Sequence, residues 1–256
     1  MIASRRLRPR GEAPRHALPA HDETIARLTD GERAIAAQVW HGRAEAEARA
    51  SGAFLHVAAI LERAGAAPEL VVLAWRAVDD ERRHAQICAQ VARACGSTAP
   101  VLRLPVSIPR HDGADAELRR VLHVIGMCAL NETCGSAFLE LCRDGATAPL
   151  AAAALRELLA DEIDHARLGW AFLAAQDRST KATIGAWLPR LLDGNLRAWR
   201  HRPRRAITPA LVAQGCPDWD EVDRAILAAI EDLLLPGFDH AGLDTRAARA
   251  WLAEAA

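Results

Sequence analysis

The sequence predicts an all-α protein: a four-helix bundle of two antiparallel hairpins joined by a long crossover, with a helical extension at its C-terminal end. Three observations predict it. Ala, Leu, Arg and Glu dominate, and β-branched residues are scattered, a composition that favours helix. Apolar residues recur at helical spacing along most of the chain. Two short breaks flank one long one, so neighbouring helices pair in sequence and one connection has to travel.

The elements follow in order. Residues 1–30 are Arg- and Pro-rich without an apolar stretch of signal-peptide type, and are expected to be a basic flexible tail of a cytoplasmic protein. A first helix is expected from Gly31 to Arg63, ended at Ala64-Gly65. A second starts at Pro68, a residue suited to a first helical turn, and ends at Cys95-Gly96. The segment 96–114 carries Pro100, Pro105 and Pro109 and reads as a connection. Extended, such a length spans up to roughly 60 Å, more than the roughly 39 Å of a 26-residue helix, so it can cross the bundle. A third helix covers about Ala114 to Cys142 and a fourth about Pro149 to Gln176. Residues 31–178 thus form the bundle. Residues 179–256 are expected to pack on it as a helical extension: Thr180 to Arg200, a basic linker over 201–217, Asp218 to a stop at Pro236-Gly237, and Thr245 to Glu254.

Composition narrows the function. Apolar residues make up 51% and charged residues 25%, the balance of an ordinary globular protein. A net charge of −1 gives no basis for nucleic-acid binding, and no apolar run is long enough for a membrane span. There is no Tyr, which removes tyrosyl-radical storage and Tyr acid catalysis. Lys181 is the single lysine. The six cysteines form no C-x-x-C pair and read as free thiols in a reducing compartment.

One motif stands out. The second helix holds Asp80-Glu81-Arg82-Arg83-His84-Ala85 and the fourth holds Asp161-Glu162-Ile163-Asp164-His165-Ala166. Both read D-E-x-x-H-A. A single E-x-x-H is weak, but one copy of the longer string per hairpin is a pattern. Glu and His three apart share a helix face, and carboxylate with imidazole suits iron or manganese. A two-metal site in a bundle also needs an acid from each remaining helix. The third helix offers Glu132, on the face of Ile125, Cys128, Ala129 and Leu139. The first offers Glu45 or Glu47. Glu47 is in phase with Trp40, Ala44, Ser51, Phe54, Ala58 and Leu61, the expected core stripe, and is chosen. Counted from the two hairpin turns, all six side chains fall within about one helical turn of the same height. Asp80 and Asp161 are placed to take the other ring N–H of a histidine across the bundle: Asp80 for His165 and Asp161 for His84. A surface salt-bridge run would account for Arg82 and Arg83, but not for four matched acids.

The pattern Glu47, Glu81-x-x-His84, Glu132, Glu162-x-x-His165 resembles the ferritin-like di-iron carboxylate superfamily, over roughly residues 31–178. Around Gly65 to Leu70 and Leu235 to Thr245 the chain is also similar to bacterial ferritin-like domain proteins of no assigned activity. The resemblance implies that these six residues bind two Fe ions, or a Mn/Fe or other divalent pair. Leu158 stands where arylamine N-oxygenases carry a further histidine.

Three activities are open. One is an oxidase or oxygenase that uses O2 or peroxide on a small organic substrate. Small residues near the metals (Ala77, Ala85, Ala129, Gly135, Ser136, Ala166 and Gly169) then leave a pocket with Ser136 as its hydroxyl, although the same residues suit close helix packing. Another is iron or peroxide handling with an external electron donor. The third is a helical scaffold without turnover, and a homodimer fits any of them. Trp40, Trp75 and Trp170 are candidates for electron relay or for core, Cys88 and Cys128 lie in phase with the ligand face, and the cations of Arg197 to Arg205 suit an acidic partner or a solvated linker.

Overall fold

The computed structural model describes residues 17–102, 106, 108–200 and 205–255. It is all-helical, with no strand among the described residues. Helix α1 spans Glu23–Ala26, α2 Asp30–Arg63 and α3 Pro68–Ala94. After the crossover come α4 (Ala116–Val124), a π-helical segment Ile125–Asn131 and α5 (Glu132–Gly145), continuous with one another. Then follow α6 (Pro149–Ala174), α7 (Arg178–Arg200), α8 (Pro209–Ala213), α9 (Trp219–Ala229), a second π-helical segment Ile230–Leu234, α10 (Leu235–His240) and α11 (Arg246–Ala255).

Local chemistry sets the boundaries. Thr29 and Glu32 form a reciprocal capping box that starts α2. Gly65 ends the first hairpin's leading helix at φ +61°, a conformation that favours glycine. Pro68 and Pro149 open α3 and α6 at positions where no backbone N–H is needed. The Asp115 carboxylate accepts from Leu118 N–H at 2.8 Å and starts α4.

Helix α2 packs along α3, and the α4-to-α5 rod packs along α6. The two pairs join through α3 and α6, with α2 touching α4. The expected stripe on α2 is buried: Trp40, Ala44, Phe54, Ala58 and Leu61 are fully enclosed. The C-terminal helices pack outside these pairs, α7 on the first π segment, α8 on α2 and α5, and α9 on α5.

Three expectations change. Residues 1–16 of the expected tail lie outside the described residues, but its later part is built in. Asp22 caps α1, its carboxylate also accepts from Leu150 N–H at 2.9 Å, and Ile25 and Leu28 are buried. The linker 201–217 contains α8, and only 201–204 lie outside the described residues. Pro236-Gly237 does not stop its helix. The chain passes through the second π segment, where Leu235 N–H bonds Ile230 O, and continues as α10. A wider turn before a proline relieves the clash that its ring makes with a preceding carbonyl. Gly237 is needed for packing, because a Cβ there would lie 2.6 Å from the Trp170 ring.

Candidate metal centre

Glu81 and His84 project from the middle of α3, and Glu162 and His165 from the middle of α6. Glu47 comes from α2 and Glu132 from the start of α5. Their ligand atoms form two groups, Glu47-Glu81-His84-Glu162 and Glu81-Glu132-Glu162-His165, each within 4.8 Å. The groups share Glu81 and Glu162. His84 Nδ1 lies 3.5 Å from both Glu81 Oε2 and Glu162 Oε1. His165 Nδ1 lies 3.1 Å from Glu81 Oε1, 3.5 Å from Glu162 Oε2 and 3.9 Å from Glu132 Oε2. Five of the six residues are buried, and Glu47 is partly so. Glu45, the alternative on α2, faces away and sits 3.5 Å from His41.

The outer ring nitrogens turn to aspartates. His84 Nε2 is 3.3 Å from Asp161 Oδ2, and His165 Nε2 is 3.6 Å from Asp80 Oδ2. The crossed assignment is therefore the one in which the side chains are placed. Between the aspartates lies Arg83, only 1% exposed, which donates to Asp80 Oδ1 at 2.7 Å and also to Asp161. Arg76 adds contacts to Asp80 at 3.7 Å and Asp164 at 3.2 Å. Arg83, which a surface salt-bridge run would also have accounted for, is thus an interior residue. Its position one residue before His84 and three after Asp80 was the available signal, since both neighbours face inward.

Glu132 is placed by the π segment. Its own N–H bonds Met127 O, five residues back, so α5 restarts at Glu132. Asn131 Nδ2 donates to Glu132 Oε1 at 3.2 Å, and Asn195 of α7 donates to Asn131 Oδ1 at 3.4 Å. Neither asparagine was singled out in the sequence, because periodicity at 3.6 residues carries no trace of a π turn.

Electrostatics separate the four glutamates. Burial, then the nearby carboxylates, pushes Glu47 and Glu132 well above the usual range. Burial opposes ionisation of Glu81 and Glu162 too, but their contacts with His165 and His84 prevail and hold both below it. The same contacts overcome burial at the histidines, raising His84, and raising His165 far more. Proximity thus divides the four glutamates into two pairs, Glu81 and Glu162 beside the histidines and Glu47 and Glu132 raised by burial and their neighbouring carboxylates.

A cavity of about 170 Å³ adjoins the carboxylates. Glu47, Glu81, Glu132 and Glu162 form one side, and Ala50, Phe138, Leu139, Ala198 and Trp199 supply an apolar wall. Gly135 lines it and Ser136 does not, because the cavity opens on the Asn131, Gly135 and Leu139 flank of α5. The other small residues serve differently. A Cβ on Gly169 would lie 2.2 Å from Ala129 N, so Gly169 and Ala129 mark the close crossing of α6 with the π segment. Ala85 lines a separate cavity of about 710 Å³ along α2 and α3 that none of the six residues reaches.

Cys88 and Cys128 are buried near the carboxylates, and burial followed by Glu47 or Glu132 respectively raises both thiols. All six cysteines are free. Trp40 is core, Trp170 packs on Phe238, and Trp75 is exposed beside Glu62. Arg205, at the end of the cationic stretch, donates to Gln38. Among the described residues, no helix is long and apolar enough to cross a membrane.

No family model, curated protein or solved structure matches the chain.

Proposed function

We propose that the chain is a ferritin-like di-metal carboxylate protein, and that it is an oxidoreductase using O2 or peroxide on a small organic substrate. The observation that carries this is the sharing of Glu81 and Glu162 between two four-residue groups of ligand atoms. Each group offers one imidazole and three carboxylates, and the shared pair is placed to bridge.

The donor set fits two hard divalent ions. Glu81 Oε2, His84 Nδ1 and His165 Nδ1 are buried without a hydrogen-bond partner, and all three face the common centre. Orphaned buried polar atoms are costly unless something occupies the space between them. Four carboxylates also balance two divalent charges. Glu47 and His84 would belong to one ion, Glu132 and His165 to the other, with Glu81 and Glu162 common to both. Iron or manganese matches oxygen and imidazole donors and would supply electrons to the oxidant. Asp161 engages His84 Nε2 and Asp80 lies 3.6 Å from His165 Nε2, an arrangement that leaves both Nδ1 atoms inward, and Arg83 fixes the aspartates. The apolar wall of the cavity favours an organic substrate over soluble iron alone, and its volume limits that substrate to a small one.

The test is metal analysis after anaerobic Fe(II) loading, followed by mixing with O2. About two metals per chain, with an absorbance change on oxidation that is lost in Glu132→Ala, supports the reading. No stoichiometric metal refutes it. Rapid peroxide consumption without an organic co-substrate would shift the assignment to peroxide handling.

A further inference from the structure

A third cavity, of about 420 Å³, lies between α2, the end of the crossover and α4. Its volume is that of small-molecule sites, ~300–1,000 Å³. His56 on α2 and His123 on α4 are nine residues from Glu47 and Glu132 respectively, so the cavity sits about 13 Å along the bundle from the metal centre.

Its lining carries a net positive charge. Three guanidiniums, Arg110, Arg119 and Arg120, converge on it against one acid, Asp112, and two imidazoles, His56 and His123, add ring nitrogens. Arg119, Arg120 and His123 share a face of α4, at spacings of three and four residues. Arg120 is held by Glu117, and Arg119 Nε donates to Ala114 O at 2.8 Å, which orients the guanidinium. Arg110 has no ion-pair partner among the described residues. The built element is His123. It is 6% exposed, stands edge-on to His56 at 5.0 Å between ring centroids, and its Nε2 is buried without a hydrogen-bond partner. Ile60, Ile108 and Pro109 complete the wall as an apolar surface.

We propose that this cavity binds a small organic phosphate. A tetrahedral dianion presents oxygens in several directions at once, and donors stand on three elements: Arg119, Arg120 and His123 on α4, Arg110 on the crossover, His56 on α2. A planar carboxylate offers two oxygens in one plane and one charge, which leaves donors on one element unused. Charge-assisted bonds from guanidinium to phosphate are among the stronger ones available. The apolar wall takes the ester group. The site is independent of the metal centre and stands whether or not that centre turns over.

Calorimetric titration of the full-length protein, at fixed ionic strength, tests it with phenyl phosphate, inorganic phosphate, benzoate and chloride. Phenyl phosphate is expected to saturate one site per chain and to bind more tightly than inorganic phosphate. Arg119→Gln/Arg120→Gln, at positions outside the buried core, is expected to weaken it at least tenfold. His123→Leu, with folding checked by circular dichroism, is expected to weaken it several-fold. The proposal is overturned by absence of saturable binding to the wild type, by unchanged affinity in both variants, or by benzoate or chloride binding as tightly as phenyl phosphate.

Discussion

Arg83 links the two helices that carry the E-x-x-H pairs. Its guanidinium is enclosed between Asp80 and Asp161, so truncating it leaves two buried carboxylates facing each other. Removing one partner of a buried ion pair costs ~3–5 kcal/mol. Arg83→Met is therefore expected to lower the denaturation midpoint strongly, measured by urea unfolding of the metal-free protein. Asp161→Asn acts more locally. It keeps the shape but exchanges the carboxylate facing His84 Nε2 for an amide, and metal affinity should fall ~10–100-fold, read by chelator competition. Gly169→Ala tests packing: a methyl 2.2 Å from Ala129 N forces α6 off the π segment, and overpacking of this kind costs ~1–3 kcal/mol or more. Thermal melts that show no loss would mean the crossing is not tight.

At the scale of elements, the sequence was most legible where punctuation and periodicity agree. Pro68 marked a helix start that the structure places at that residue, and the break ending at Pro149 marked the start of α6. Glu47 was separable from Glu45 because only one shares the phase of Trp40, Phe54 and Leu61. The D-E-x-x-H-A repeat carried the aspartate pairing because adjacent residues on a helix differ by a fixed rotation. Illegible features are those that break regular period or depend on distant chain. The π segments change the number of residues per turn, so neither the position of Glu132 at its junction nor the passage through Pro236 follows from a 3.6-residue repeat. Ser136 was misplaced in the same way: the choice between two flanks of α5 is made by α7, which supplies Ala198 and Trp199 to the cavity.

At the scale of the molecule, stability should depend on pH through a group outside the carboxylate cluster. Burial, followed by His56 and His111, pushes the His123 imidazole down to about 4 from its usual value of 6.5. The neutral form is the one the fold accepts. Its contribution is complete above pH ~6.5 and is lost as pH falls toward 4, because the unfolded chain takes up the proton first. The difference in stability between wild type and His123→Leu should shrink or reverse between pH 6.5 and 4 in denaturant titrations. A difference that does not change with pH over that interval would exclude the effect. Other groups also take up protons as pH falls, which is why the comparison with the variant, and not the wild-type curve, isolates it.

One cluster ties the segment after α8 to the bundle. Trp40 Nε1 donates to Gln214 O at 2.9 Å and Arg43 Nη2 to Gly215 O at 2.6 Å, while Ala213 O accepts from Thr147 and Ala148 at the second hairpin turn. Arg43 is also sandwiched against Trp40 and Phe138. The Trp40 and Arg43 bonds join residues more than 170 positions apart. Helices form in about a microsecond and hairpins soon after, but closing a loop of this length is an entropic burden met late. The order of assembly then has a consequence for the nascent chain: both E-x-x-H helices are synthesised well before residue 214, and the early bundle faces ambient metal with its cavity still unroofed.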